Sequence, residues 1–144
     1  MFVSQKCQYA LRALFELSFH AGDGPRKVVQ IAEAQAIPPR FLEVILGELK
    51  RGGFVASRRG RNGGYLVARA PADITVGDVV RFVQGPVGPK ADPSARRAAA
   101  NGVFDPMWQR VRESINAIYD HTNFANLVED ARRRTDSYVP NYVI

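Results

Sequence analysis

A chain of 144 residues with 46% apolar content has room for one domain with a helical extension, and this composition excludes a disordered tail. The net charge of +6 is one-sided: residues 1–70 carry eleven Lys/Arg against five acids, whereas residues 71–144 carry nine of each. Such a balance points to a polyanionic partner, and without a Lys-rich amphipathic helix it favours nucleic acid over an anionic membrane surface. Cys7 is the single cysteine, which excludes an internal disulfide and an all-cysteine metal site within one chain. Met1-Phe-Val-Ser has no charged segment leading into an apolar run, and nothing approaches the roughly 18 apolar residues of a membrane span. The expectation is a soluble cytoplasmic protein.

In chain order, residues 5–20 place Ala10, Leu11, Leu14, Leu17 and Ser18 on one face, a helix with Ser4 as its N-cap. Ala21-Gly-Asp-Gly-Pro25 breaks it. A short helix follows at about 27–35, with Val28, Ile31 and Ala32 inward. Ala36-Ile37-Pro38 makes a turn, and Pro39 suits the first turn of the next helix. That helix, 39–51, carries the inward stripe Leu42, Ile45, Leu46 and Leu49, with Arg40, Glu43, Val44, Gly47, Lys50 and Arg51 opposite. Gly52-Gly53 stops it. Two short helices, a tight turn and a small residue at the crossing match a helix-turn-helix whose second helix reads DNA.

Two β-prone runs, 54–57 and 65–68, then flank a loop holding Arg58, Arg59 and Arg61 among Gly60, Gly63 and Gly64. Glycines permit positive φ and close backbone approach, so this is expected to be a hairpin with a tight basic tip. A basic hairpin directly after two helices is the layout of a winged helix-turn-helix, whose tip reaches the DNA backbone or minor groove. Gly60-x-x-Gly63-Gly64 leads into a strand-like run rather than a helix, so it does not read as a nucleotide-phosphate loop.

Thr75-Val-Gly-Asp78 opens another helix to about Val83, with Thr75 and Asp78 spaced as a capping box. Residues 84–102 form a Pro/Gly/Ala-rich linker, expected to be mobile, with Ala95–Ala100 briefly helical. Asp105-Pro106 reads as a cap followed by proline, starting a helix to about His121. Its stripe Trp108, Val111, Ile115 and Ile118 needs a surface to bury it, either helix 5–20 or the same helix of a second copy. Phe124, Leu127 and Val128 suggest a last short turn of helix. Arg132-Arg133-Arg134 and the tail to Ile144 are expected to be solvated. The isolated His20 and His121 form no metal motif, and no catalytic constellation is present. His121 is read as a helix-end residue.

These strings carry a resemblance. Tyr9-Ala-Leu-Arg-Ala-Leu14, Ile31-Ala-Glu33, Phe41-Leu-Glu43, Leu49-Lys-Arg-Gly-Gly-Phe-Val55, Arg59-Gly-Arg-Asn-Gly-Gly-Tyr-Leu66 and Ile74-Thr-Val-Gly-Asp-Val79 resemble the Rrf-type family of bacterial winged-helix regulators, the IscR-, NsrR- and CymR-like group. The match spans about residues 1–84 and continues more weakly through Met107-Trp108 and Thr122-Asn-Phe-Ala-Asn-Leu127. The resemblance implies a homodimer joined through the long C-terminal helix, with helix 39–51 in the major groove and the wing in the minor groove of a palindromic operator. By position, Glu43 resembles the acidic residue that discriminates operator classes, and Arg59 the wing arginine that enters the minor groove. The family often has a serine at 38, a serine or similar residue at 40, an aromatic at 41 and a glutamine at 44. This chain has Pro38, Arg40, Phe41 and Val44, so a bidentate adenine contact from position 44 is lost and the operator is expected to differ. Cluster-bearing members usually place three cysteines in the segment equivalent to 84–104; this chain has none there, which implies a regulator without an iron–sulfur cluster.

The expected protein is therefore mainly α: a winged helix-turn-helix domain (1–84) with a β-hairpin wing, a flexible linker (85–104), and a dimerisation helix with a C-terminal tail (105–144). Its expected partners are double-stranded DNA and a second copy, with no membrane, no cofactor and no resolved effector. The expected DNA-facing residues are Arg40, Phe41, Glu43, Lys50, Arg58, Arg59, Arg61 and Gly63; Trp108, Val111, Ile115 and Ile118 are the expected seam. The rivals are a dimeric protein–protein module that has lost operator recognition, and a redox-responsive regulator using Cys7, whose pKa Lys6 and the helix N-terminus would lower. An enzyme ranks last.

Overall fold

The helix expected at 5–20 is α1, Gln5–Phe19, and the Ser4 side chain caps it by accepting from the Cys7 backbone N–H at 3.1 Å. This computed structural model describes residues 2–90, 92–97 and 101–136. The tail after 136 and part of the expected 95–100 helix lie outside the described residues; Pro93–Arg96 forms a short 3-10 turn. The other helices are α2 (Val28–Gln35), α3 (Pro39–Arg51), α4 (Val76–Gln84), α5 (Asp105–Asp120) and α6 (Phe124–Asp136). The wing is an antiparallel pair, β1 (Val55–Arg58) and β2 (Gly64–Val67), in register Val55 with Val67 and Arg58 with Gly64.

The core sits where the three N-terminal helices cross. Ala10, Ala13, Leu14 and Leu17 of α1 meet Ile31 and Ala32 of α2 and the stripe Leu42, Ile45, Leu46 and Leu49 of α3. Phe54 and Val55 close it beneath the wing, and Ile74 and Val79 close it from the α4 side. A second cluster, Cys7, Val80 and Val87, lies between α1 and α4 and takes Ile115 and Tyr119 of α5 against its edge. The capping box of α4 is present in both directions: Thr75 N–H donates to Asp78 at 3.1 Å and Asp78 N–H to the Thr75 hydroxyl at 3.0 Å.

Three expectations are corrected. The segment after residue 123 is not a short turn but the 13-residue helix α6, and its Phe124 is fully buried in the main core. Backbone bonds hold its start in place: Val76 N–H donates to Thr122 O at 2.8 Å and Phe124 N–H to Ile74 O at 3.0 Å. The chain after 105 thus returns to the N-terminal core. Arg132–Arg134 belong to this exposed helix surface, where Arg132 also stacks over Phe19 at 5.2 Å. Asp105 is not the cap of α5 but its first residue; Phe104 precedes it, already helical and without a side-chain cap bond. The turn at Gly102, with φ +71°, supplies a carbonyl for the Asp105 N–H at 3.0 Å, so no side-chain acceptor is required there. The front of the expected linker is packed: Val87 is buried and Arg112 donates to Pro89 O at 2.9 Å.

Candidate nucleic-acid interface

The α2–α3 corner is held from α1. Ala36 adopts φ +52°, a left-handed conformation unusual for a residue with a Cβ. The guanidinium of Arg12 donates to the carbonyls of Gln35 and Ala36, satisfying the end of α2 at this turn. One turn further along α1, Glu16 is 6% exposed and accepts from Gln35 at 2.9 Å, with Arg26 at 3.4 Å and His20 at 3.1 Å. A buried carboxylate is tolerable only with such partners. These contacts tie α1 to the α2–α3 corner, and apart from Glu16–His20 their partners lie too far apart in sequence to be read from it.

The same network anchors the wing. Arg26 pairs with Tyr65 of β2 through two backbone bonds, each 2.8 Å, adding a one-residue bridge along the outer edge of β2, near its tip-side end. Gly64, at φ +150°, lies so close to Arg26 that a Cβ there would strike the Arg26 carbonyl. At the tip, a Cβ on Gly63 would collide with the Arg58 carbonyl. Gly63 is buried, so its part in the interface is to shape the turn rather than to touch a ligand with its own surface.

The basic residues divide into two groups. Lys6 pairs with Glu48 at 2.8 Å, Arg26 with Glu16, and Arg69 lies 4.5 Å over the Phe54 ring and donates to Gly53 O at 3.2 Å. These cations, with Arg12, are used inside the fold. Arg40 and Arg51 on α3 and Arg58, Arg59 and Arg61 on the wing are exposed, and their side chains form no hydrogen bond, ion pair or ring contact with the described residues. Lys50 links the two elements, its ammonium donating to the Ser57 hydroxyl on β1 at 2.7 Å. Phe41, Glu43 and Val44 are exposed on the same helix. A helix and an adjoining hairpin thus display a row of uncompensated cations, the electrostatic footprint of a polyanion-binding surface.

The expected seam residues separate. Ile118, 67% exposed, lines one open face of α5 with Met107 and Val111, whereas Trp108, 39% exposed, turns to another cleft beside Lys90 and Phe104. Ile115 is shared, one side against the Cys7 cluster and the other toward that face. None of the residues of α5 is buried within the chain. Cys7 itself is fully buried, and desolvation pushes its thiol pKa up from the ordinary value, the opposite of the lowering expected from Lys6. Burial is the cause, and the Lys6 ammonium is engaged by Glu48 instead. His121 ends α5, its ring nitrogen 2.6 Å from Ala117 O.

No helix among the described residues is long and apolar enough to cross a membrane. A family model described as Rrf2, iron-dependent transcriptional regulator, matches residues 3–130. The HTH-type transcriptional regulator CymR of Bacillus subtilis is 28% identical over 144 residues, covering 96% of this chain and 98% of the relative. An HTH-type transcriptional regulator of Mycobacterium tuberculosis is 34% identical over 134 residues, covering 91% of this chain and 83% of the relative. Among solved structures, CymR of B. subtilis, described as the global cysteine regulator, superposes with a TM-score of 0.80 at 29% identity, covering 90% of this chain and 97% of that one. The IscR of T. potens superposes with a TM-score of 0.79 at 32% identity, covering 99% and 95%.

Proposed function

The chain belongs to the Rrf2 family of DNA-binding transcriptional regulators, and from that premise we propose that it is a homodimeric repressor of a palindromic operator that works without an iron–sulfur cluster. The observation that carries the reading is the set of exposed cations whose side chains have no partner among the described residues, Arg40 and Arg51 on α3 with Arg58, Arg59 and Arg61 on the wing. In this reading α3 enters the major groove, Arg40 and Lys50 grip phosphates or guanine edges, Glu43 rejects unsuitable bases, and Arg59 enters the minor groove. Arg58 and Arg61 hold the flanking backbone.

Dimerisation through α5 is supported by its open apolar face. Met107, Val111 and Ile118 face away from the rest of the chain, and a second copy of the same stripe would bury them symmetrically. Two reading helices then address half-sites about 34–36 Å apart.

The donor set does not fit an iron–sulfur cluster. Segment 85–104 holds no cysteine, and Cys7 is enclosed by Val80 and Val87. Among the described residues no group of three or more His, Cys, Asp or Glu side chains is placed to hold a metal ion. A burial-raised thiol in that position also speaks against a Cys7 redox switch.

Selecting bound fragments from the source genome tests the reading. The expected result is enrichment of an inverted repeat overlapping promoters, bound by two chains. Retention of DNA without any sequence preference would overturn it.

A further inference from the structure

Charge does not account for the centre of the face that α3 exposes. Phe41 and Val44 are 62% and 60% exposed there, one turn apart, and with Ile45 they border an apolar cleft of about 430 Å³ lined also by Gln5, Lys6 and Tyr9 of α1. Gly47 lies one turn beyond Val44, and a Cβ built on it would meet nothing within 4 Å. Glycine in a helix interior destabilises relative to alanine, and no contact among the described residues requires it here. Along one line of α3 the order is therefore cation, isopropyl, bare backbone, cation: Arg40, Val44, Gly47, Arg51.

In a helix-turn-helix the N-terminal residues of the reading helix contact base edges while flanking groups hold phosphates, and Phe41 and Val44 lie in the N-terminal half of α3. The apolar group that base edges present in the major groove is the 5-methyl of thymine. We infer that Phe41 and Val44 are specificity-determining residues that recognise thymine methyl groups, with Gly47 letting the helix backbone approach the groove floor. This rests on α3 being the DNA-reading helix.

The test starts by enriching a random-sequence duplex pool on the protein. Each thymine of the enriched site is then replaced by deoxyuridine, which removes only the methyl. At one thymine in each half-site the affinity should fall about fourfold, as burial of one methyl implies, and roughly fifteenfold when both halves are changed. Val44→Gln should abolish that methyl dependence and shift the selected base toward adenine, whose N6/N7 edge an amide can bond. Gly47→Ala should raise the melting temperature of the free protein while weakening binding to the enriched site. Equal affinity for thymine and uridine sites, with Gly47→Ala binding as the parent does, would overturn the inference and leave the regulator reading standing. Failure to enrich any sequence would instead remove the reading of α3 itself.

Discussion

The α3–wing surface and the open face of α5 are both incomplete within one chain, but in opposite ways. The first leaves charge without counter-charge: exposed arginines on α3 and the wing, held over a core in which Leu42, Leu46 and Leu49 are at most 1% exposed. The second leaves apolar area without cover: Met107 and Ile118 are 44% and 67% exposed. Uncompensated charge is stable in water and attracts a polyanion through long-range fields, whereas uncovered apolar surface gains only when another apolar surface meets it. Under the proposed function the two faces take different partners, DNA and a second copy. The difference also predicts different responses to salt and to point substitution.

The largest expected effect is that of salt on the first face. With about six to ten phosphate contacts per dimer, operator affinity should fall roughly 10³–10⁵-fold between 50 and 200 mM salt, while sedimentation of the free dimer stays unchanged over the same range. A dimer that dissociates in parallel with DNA release would merge the two faces into one electrostatic surface.

Next in size is Ile118→Asp. Ile118 is a cleaner probe of the α5 face than Ile115, because Ile115 also packs on the Cys7 cluster. The substituted chain should stay folded, with a melting temperature lowered by no more than the loss of dimer stabilisation, and sediment as a monomer. It should lose about 10²–10⁴-fold in operator affinity, the avidity of the second half-site. A dimer with normal operator binding would move the seam elsewhere.

A smaller effect separates positions within the wing. Arg61→Ala should weaken all sequences alike and lower the salt slope by about one. Arg59→Ala should lose more on sites with narrow A·T minor grooves. Equal losses on every sequence would assign both arginines to the backbone.

The smallest effect concerns Cys7. Its raised pKa means that the folded state keeps a proton which the unfolded chain releases. The associated stability is therefore present below the ordinary thiol value of 9.0 and is lost as pH rises through the higher folded value. Alkylation of Cys7 at neutral pH should proceed only as fast as the protein unfolds, and thiol oxidants should leave DNA binding intact. Rapid labelling of the native dimer would restore Cys7 as a redox candidate.

By itself the sequence determined what depends on near neighbours in the chain. The stripe Leu42, Ile45, Leu46 and Leu49, the Ser4 cap, the Thr75–Asp78 box and the glycine-bounded basic hairpin all follow from periods and spacings of a few residues, because those interactions are made within one turn or one ladder. Only the tertiary structure decided what joins residues distant in sequence. Arg12 closes the end of α2, Arg26 pairs with Tyr65 along the outer edge of β2, Ile115 divides between core and open face, and Phe124 brings α6 back into the N-terminal core. Local pattern also misjudged Asp105 and the length of α6. In the first case a backbone carbonyl from the Gly102 turn stands where a side-chain cap was expected; in the second, burial of Phe124 and Val128 against distant partners sustains a helix whose own sequence reads as polar. The charge pattern had the same limit. Eleven basic residues are countable in the first half of the chain, but only packing shows that Lys6, Arg12, Arg26 and Arg69 are engaged inside the fold while the side chains of Arg40, Arg51, Arg58, Arg59 and Arg61 have no partner among the described residues.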